Sequence, residues 1–251
     1  MLLAPSSKSS LAKLSRLLPG RRLLLILWPF LVIAVIFVVL IAQSLAILSA
    51  GRAFVEGESL WSKAQKSSVM HLVRYVHSHD EADYRQFQQA LKVPLGDRKA
   101  RLELEKPNPD LAVAYQGFLE GRNHPDDIPG LITLFRRLRN VSYIDRCITL
   151  WTDADRSIDE LIAVADTLHR RVLAGETDPS TVNSMLASIF EVDAQLTSQS
   201  DAFSASLGEA TRVAILILSI ATLVLAGTLI PIALMLRAEC SCAAMRSHGR
   251  A

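Results

Sequence analysis

Residues 141–174 read VSYIDRCITLWTDADRSIDELIAVADTLHRRVLA. Within this stretch Cys147, Trp151, Ala154, Ile158, Leu161, Ala165, Leu168 and Val172 recur at alternating spacings of four and three, with no polar residue among them. A chain turning once every 3.6 residues lays these positions along one face, and that face is stable only against a partner. The spacing is that of a coiled-coil-like helical seam. No run elsewhere alternates with the period of two expected of a strand, and no internal repeat is present, so the chain reads as all-α.

Working outward, Gly175 and Asp178-Pro179 mark the end of this helix and the start of another. A second seam follows through Val182, Met185, Ile189, Val192 and Leu196, then turns polar through Gln199, Phe203, Ser206 and Ala210. Upstream, Trp61, Ala64, Gln65, Ser68, Val69, Leu72, Tyr75 and Val76 share a face in a helix expected over 43–77. Ser78-His79-Asp80 provides its end and the cap of the next helix. The segments 43–77, 141–174 and 178–212 hold 35, 34 and 35 residues, rods of about 50 Å each at the helical rise. Equal rods imply a common axis. Pro94, Gly96, Pro107, Pro109, Gly121, Pro125 and Pro129 divide the remaining rod into short helices expected near 80–92, 97–105, 110–120 and 127–139. The expected architecture is an up-down-up-down four-helix bundle with one broken rod.

Two apolar runs bracket this bundle: Leu23 to Ala42 (LLLILWPFLVIAVIFVVLIA) and Val213 to Leu236 (VAILILSIATLVLAGTLIPIALML), both free of charge. Each is long enough to cross the roughly 30 Å hydrocarbon core of a bilayer. Lys8, Lys13, Arg16, Arg21 and Arg22 precede the first without any acidic residue, and Arg237, Arg246 and Arg250 follow the second against Glu239. Residues 52–211 instead carry 18 basic and 24 acidic residues, a net of −6 hidden within the chain's formal +2. Positive flanks stay cytoplasmic. The expected organisation is a cytoplasmic N-terminus (1–22), a first transmembrane helix (23–42), an extracytoplasmic helical sensor domain (43–212), a second transmembrane helix (213–236) and a short cytoplasmic tail (237–251). The expected location is the inner membrane of a bacterium, with both termini cytoplasmic. The first run exceeds the apolar core of a signal peptide, which favours an uncleaved anchor.

Catalytic signatures are missing: there is no phosphate loop, no Gly-x-Gly-x-x-Gly, no His-Glu-x-x-His and no nucleophile elbow. No enzymatic activity, catalytic residue, metal or cofactor is expected. His77-x-His79-Asp80 sits at a helix end and reads as a solvated cap. Cys147 is the only cysteine in the exported part, so no internal disulfide forms there, and Cys240-x-Cys242 lacks further metal ligands. Arg136, Arg137 and Arg139 lie in a net-acidic exported domain, which excludes nucleic acid as a partner. The candidate ligand-binding residues are His71, Arg74, Tyr75, Arg136, Arg137 and Trp151, which together could line a cationic, aromatic pocket for a small anionic ligand. Against this stands the plainer reading in which Tyr75 and Trp151 are core and the arginines are surface ions. Asn123-His124-Pro125-Asp126-Asp127 reads as a turn and helix cap.

The stretches LWSKAQK (60–66), HLVRY (71–75), VPLGD (93–97), GRNHPDDIPG (121–130) and NVSY (140–143) resemble the extracytoplasmic sensor region of bacterial transmembrane diguanylate cyclases and sensor histidine kinases. The resemblance covers residues 20–236. In that family the second membrane helix leads into cyclase, phosphodiesterase or kinase modules. Residues 237–251 contain no Gly-Gly-Asp-Glu-Phe, Glu-Ala-Leu or kinase histidine box, so the output activity is not carried over, and no ligand-binding residue is transferred. The composition of this tail suggests truncation or a frameshift, the alternative being a natural short tail on a stand-alone anchor. The expected function is a membrane-anchored sensory input module working by ligand binding and helix displacement, with a second copy or a partner receptor beside it in the lipid bilayer. The alternative is a non-enzymatic membrane accessory or structural protein that binds another receptor through its bundle.

Overall fold

A computed structural model describes the backbone of residues 8–248, and the side chains of 27, 28, 30–235 and 238. The side chains of the basic N-terminal residues, of Cys240 and Cys242, and of Arg246 and Arg250 lie outside the described set. Six helices follow one another: α1 (Lys8–Ser78), α2 (Glu81–Leu104), α3 (Leu111–Glu120), α4 (Ile128–Leu138), α5 (Ser142–Leu173) and α6 (Pro179–His248). No strand occurs among the described residues. Leu45–Ala214 form one compact unit, and the apolar parts of α1 and α6 belong to a second.

In the apolar unit, α1 and α6 contain stretches of mean hydropathy 3.0 and 2.7. Both helices are long and apolar enough to cross a membrane. Leu27, Trp28, Val38, Leu223 and Met235 are each more than half exposed, a surface suited to hydrocarbon rather than water.

The 45–214 unit is built around two cores. The first joins α1, α2, α5 and α6 through Trp61, Leu72, Tyr75, Phe87, Ile158, Leu161, Ile189 and Leu196. Apart from Phe87 of α2, these are the seam positions of the three rods, so the four-three spacing found its partners. The second core joins α1, α2, α3 and α4 through Ala53, Ala100, Leu104, Phe118, Ile128, Leu131 and Phe135, with Ile148 and Trp151 of α5 packed on it. Polar links fix the register between helices. Lys66 donates to Asp193 and Thr197 at 2.7 and 2.6 Å, Gln65 donates to Asp193 at 2.9 Å, and Arg98 meets Asp159 at 2.6 Å.

The turns follow local rules. Asp80 caps α2 by accepting from Ala82 N–H at 2.8 Å, and Asp110 caps α3 from Ala112 N–H at 2.9 Å. α5 ends in a Schellman turn: Glu176 N–H reaches the Arg171 carbonyl at 2.9 Å and Gly175 N–H the Val172 carbonyl at 3.0 Å. Gly175 takes the left-handed φ of 74° that this turn requires. Asp178 then accepts from Ser180 N–H and Thr181 N–H, both at 3.1 Å, starting α6.

Two expectations change. The helices expected at 80–92 and 97–105 are one helix, α2, which runs straight through Pro94 and Gly96. An interior proline costs about 3 kcal/mol, and here burial on both sides offsets it. Leu91, Val93, Ala100 and Leu104 are all buried, and α3 approaches so closely that a Cβ on Gly117 would lie 2.6 Å from Ala100 N. The cap expected within 123–127 is placed at Asp127 but is made differently. Asp127 holds the cap position of α4 without bonding the helix, because its carboxylate receives Arg52 of α1 at 2.7 and 2.9 Å.

Candidate functional site

Three of the six residues singled out in the sequence gather near the start of α2. His71 Nδ1 and Arg74 Nε lie 3.7 and 3.4 Å from Asp83 Oδ1. Tyr75 is fully buried in the first core; its hydroxyl is 2.7 Å from His169 Nδ1 and donates to Glu81 at 3.3 Å. Tyr84 stacks on His169 with ring centroids 4.0 Å apart and donates to Asp166 at 3.0 Å. Burial pushes both phenols up to about 12, so they act as hydrogen-bonding struts tying α1, α2 and α5. Arg136 and Arg137 are exposed at the end of α4. Trp151 packs on the second core, not on the first core that holds Tyr75.

Trp151 instead lines a cavity of about 60 Å³. Five aromatic residues line it: Phe54 and Trp61 from α1, Phe118 from α3, Trp151 from α5 and Phe203 from α6. Ala53, Gly57, Leu131, Leu150 and Ala154 complete the apolar surface, while Glu58, Asp97, Asn123, Gln199 and Ser200 supply polar groups. The elements bring these together for identifiable reasons. Trp61 and Ala154 are seam positions, and Gln199 and Phe203 occupy the stretch where the α6 seam turns polar.

The polar groups divide sharply into satisfied and unsatisfied. Glu58 accepts from Ser200 Oγ at 2.8 Å, linking α1 to α6. Asn123 donates to Asp97 at 2.8 Å and to the Phe118 carbonyl at 3.1 Å. Burial raises the Asp97 carboxyl well above its usual range, against the hydrogen bond from Asn123 that lowers it. In contrast, Trp61 Nε1, Trp151 Nε1 and Gln199 Oε1 are buried with no hydrogen-bond partner among the described residues. Leaving one such group unmade costs about 1–3 kcal/mol. The three side chains line one cavity, while the unpartnered atoms themselves are covered.

Next to this cavity, Arg101 donates to Asp155 Oδ2 from Nη2 at 2.6 Å and from Nε at 3.1 Å, deep between α2 and α5. Burial still pushes Asp155 up to about 6. Burial likewise pushes the Cys147 thiol up to about 11, leaving it protonated and unreactive at neutral pH.

The cavity was only half visible in the sequence. Trp151 was singled out, and Trp61, Gln199 and Phe203 were placed on their seams, but nothing in the spacing joined them. The available signal was Gln199, a polar residue at a position where the repeat calls for an apolar one. Asn123, assigned to a turn, is buried and bridges α2 to the end of α3. No protein-family model matches the chain, and no curated protein or solved structure matches it either.

Proposed function

We propose that this chain is the membrane-anchored sensory input module of a bacterial signal-transduction protein, acting by small-molecule binding and helix displacement. The observation that carries the reading is the cavity with five aromatic residues in its wall, formed partly by α1 and α6. Those are the same two helices that contain the apolar stretches. Anything that rearranges Trp61, Gln199 and Phe203 around the cavity acts directly on helices able to pass the change along their length. Displacements of about 1–2 Å between packed helices are sufficient for such switching.

In this reading α1, the α2–α4 segment, α5 and the first half of α6 form an up-down-up-down bundle outside the inner membrane. Both termini are cytoplasmic, in keeping with the basic flanks and the acidic middle. The resemblance of residues 20–236 to the sensor regions of diguanylate cyclases and histidine kinases points the same way.

The test joins residues 1–236 to the cytoplasmic part of a two-span sensor kinase and measures reporter output in cells. Ala154→Leu, which fills the cavity, should shift basal output at least threefold. Phe203→Ala, which enlarges it, should shift output in the opposite direction. Glu160→Leu, on the exposed face of α5, should leave output unchanged. Equal output from all three variants at equal membrane levels contradicts the proposal.

A further inference from the structure

The middle of the chain is net acidic, yet one end of its compact unit is basic. Residues 128–152, which form α4, the turn after it and the start of α5, carry Arg136, Arg137, Arg139 and Arg146 against a single acid, Asp145. Arg136, Arg137 and Arg146 are exposed. None of the four arginines joins an ion pair among the described residues, whereas Arg52, Arg98 and Arg101 each meet a carboxylate distant in sequence. Burial of Ile128, Leu131, Ile132 and Phe135 in the second core leaves Arg136 and Arg137 on the outer side of α4. The helix dipole favours cations in the last turn of α4. It offers nothing to Arg146, which stands near the start of α5.

Contacts with α1 show which end of the unit this is. Asn123 lies beside Gly57, Asp127 bonds Arg52, and Gly130 adjoins Ala50. As the chain enters α4, its partners therefore step back along α1 towards Leu45, where the unit passes into the apolar stretch. Further down α4, Leu134 lines a crevice with Leu207 of α6, a residue close to the unit's other limit at Ala214. Ala50 is eight residues beyond Ala42, the last of the first apolar run, which is about 12 Å of helix. From Gly130 to Arg137, α4 advances about 10 Å in the opposite direction. The arginines thus reach the level at which the headgroups of a bilayer crossed by α1 and α6 would begin. Between them, Val141 is exposed and Tyr143 half-buried, and aromatic residues of this kind concentrate at membrane interfaces.

We propose that the α4–α5 turn is a docking surface for the anionic headgroups of the bilayer that anchors the chain, with Arg136, Arg137 and Arg146 on lipid phosphates. This inference rests on the membrane-anchored part of the reading above and not on the cavity. The planar guanidinium fork matches the oxygens of a phosphate, and clustered basic residues beside a membrane helix are drawn to anionic lipid. Docking holds the lower end of α4 at the membrane surface. Because Leu131 of α4 also lines the cavity, α1 and α6 then move against an element fixed to the bilayer.

The test uses the full chain with Cys147, Cys240 and Cys242 replaced by alanine and one spin label at Val141→Cys. The chain is placed in nanodiscs of phosphatidylcholine, alone or mixed with phosphatidylglycerol, and a nickel-chelating lipid reports collisions of the label with headgroups. Relaxation at Val141→Cys should be at least twofold greater with phosphatidylglycerol. Arg136→Gln, Arg137→Gln and Arg146→Gln together should abolish the gain, as should salt at about 1 M, where the screening length falls to about 3 Å. Leu173→Cys, beside Arg170 and Arg171 at the end of α5, should show no gain. Equal relaxation at Val141→Cys in both lipids, the same gain at Leu173→Cys, or a gain that survives the three glutamines overturns the proposal and leaves the anchored reading standing. A label at Leu31→Cys, in the apolar stretch, should be relaxed by oxygen and not by a water-soluble nickel complex. The reverse result overturns the membrane anchor and this docking surface with it.

Discussion

Asp97 is buried beside the cavity and has only an amide, Asn123, to stabilise its charge. Its carboxyl titrates near 3.8 when unfolded and well above that in the fold. The folded protein therefore binds more protons than the unfolded chain over the interval between the two values, and stability must fall as pH rises through it. Asp155, raised to about 6 by burial, pushes in the same direction between about pH 4 and 6. Asn in place of Asp97 keeps an acceptor for Asn123 and removes the charge. Asp97→Asn should raise the Tm of the full chain in nanodiscs at pH 8, by about 2–4 °C for each kcal/mol recovered. It should also flatten the decline in stability between pH 5 and pH 8, leaving the part due to Asp155. A lower Tm at pH 8, with an unchanged pH profile, would show that Asp97 is ionised and stabilised where it stands. None of this was legible in the sequence, where Asp97 is one of many surface-like acids on a charged helix. Burial of a carboxylate is a property of the packed helices, not of spacing along one of them.

At the scale of the elements, apolar spacing was the most informative feature. The α5 seam predicted a helix over 141–174, and the helix runs Ser142–Leu173. Its inward positions Cys147, Ala154, Ile158, Leu161, Ala165 and Leu168 are all buried. Leu161 is fully buried at the centre of that row, and Leu161→Ala should cost about 2–5 kcal/mol in denaturant unfolding. A cost within about 0.5 kcal/mol would place the residue on the surface and move the register. The reading failed where a local rule met tertiary packing. Pro94 and Gly96 predicted a break, yet α2 continues through them, because buried contacts on both sides exceed the local cost of a proline. Asp127 predicted a cap, yet its carboxylate turns to Arg52, since a charged partner from another helix competes with the backbone N–H groups.

For the whole molecule, the two apolar runs and the three long helical faces were evident from hydropathy and period alone. The site was not, because its wall takes residues from six helices separated by up to 150 positions, from Ala53 to Phe203. Placing Trp151 with Tyr75 required knowing which helices met, and the described residues form two cores. Tyr75 belongs to the first, while Trp151 packs on the second. The cavity and its polar wall thus belong to the upper level of organisation, where α1 and α6 face each other across Glu58 and Ser200.

The central claim is that the state of this cavity sets the position of α6 against α1, and a distance measurement tests it directly. Met70 on α1 and Phe190 on α6 are both about half exposed, which makes them suitable positions for spin labels in the full chain in nanodiscs. Double electron–electron resonance should give a mean distance that differs by about 1–2 Å between the native cavity and one filled by Ala154→Leu. The exposed-face variant Glu160→Leu should reproduce the native distance. Identical distance distributions for the native and filled cavities would contradict the account.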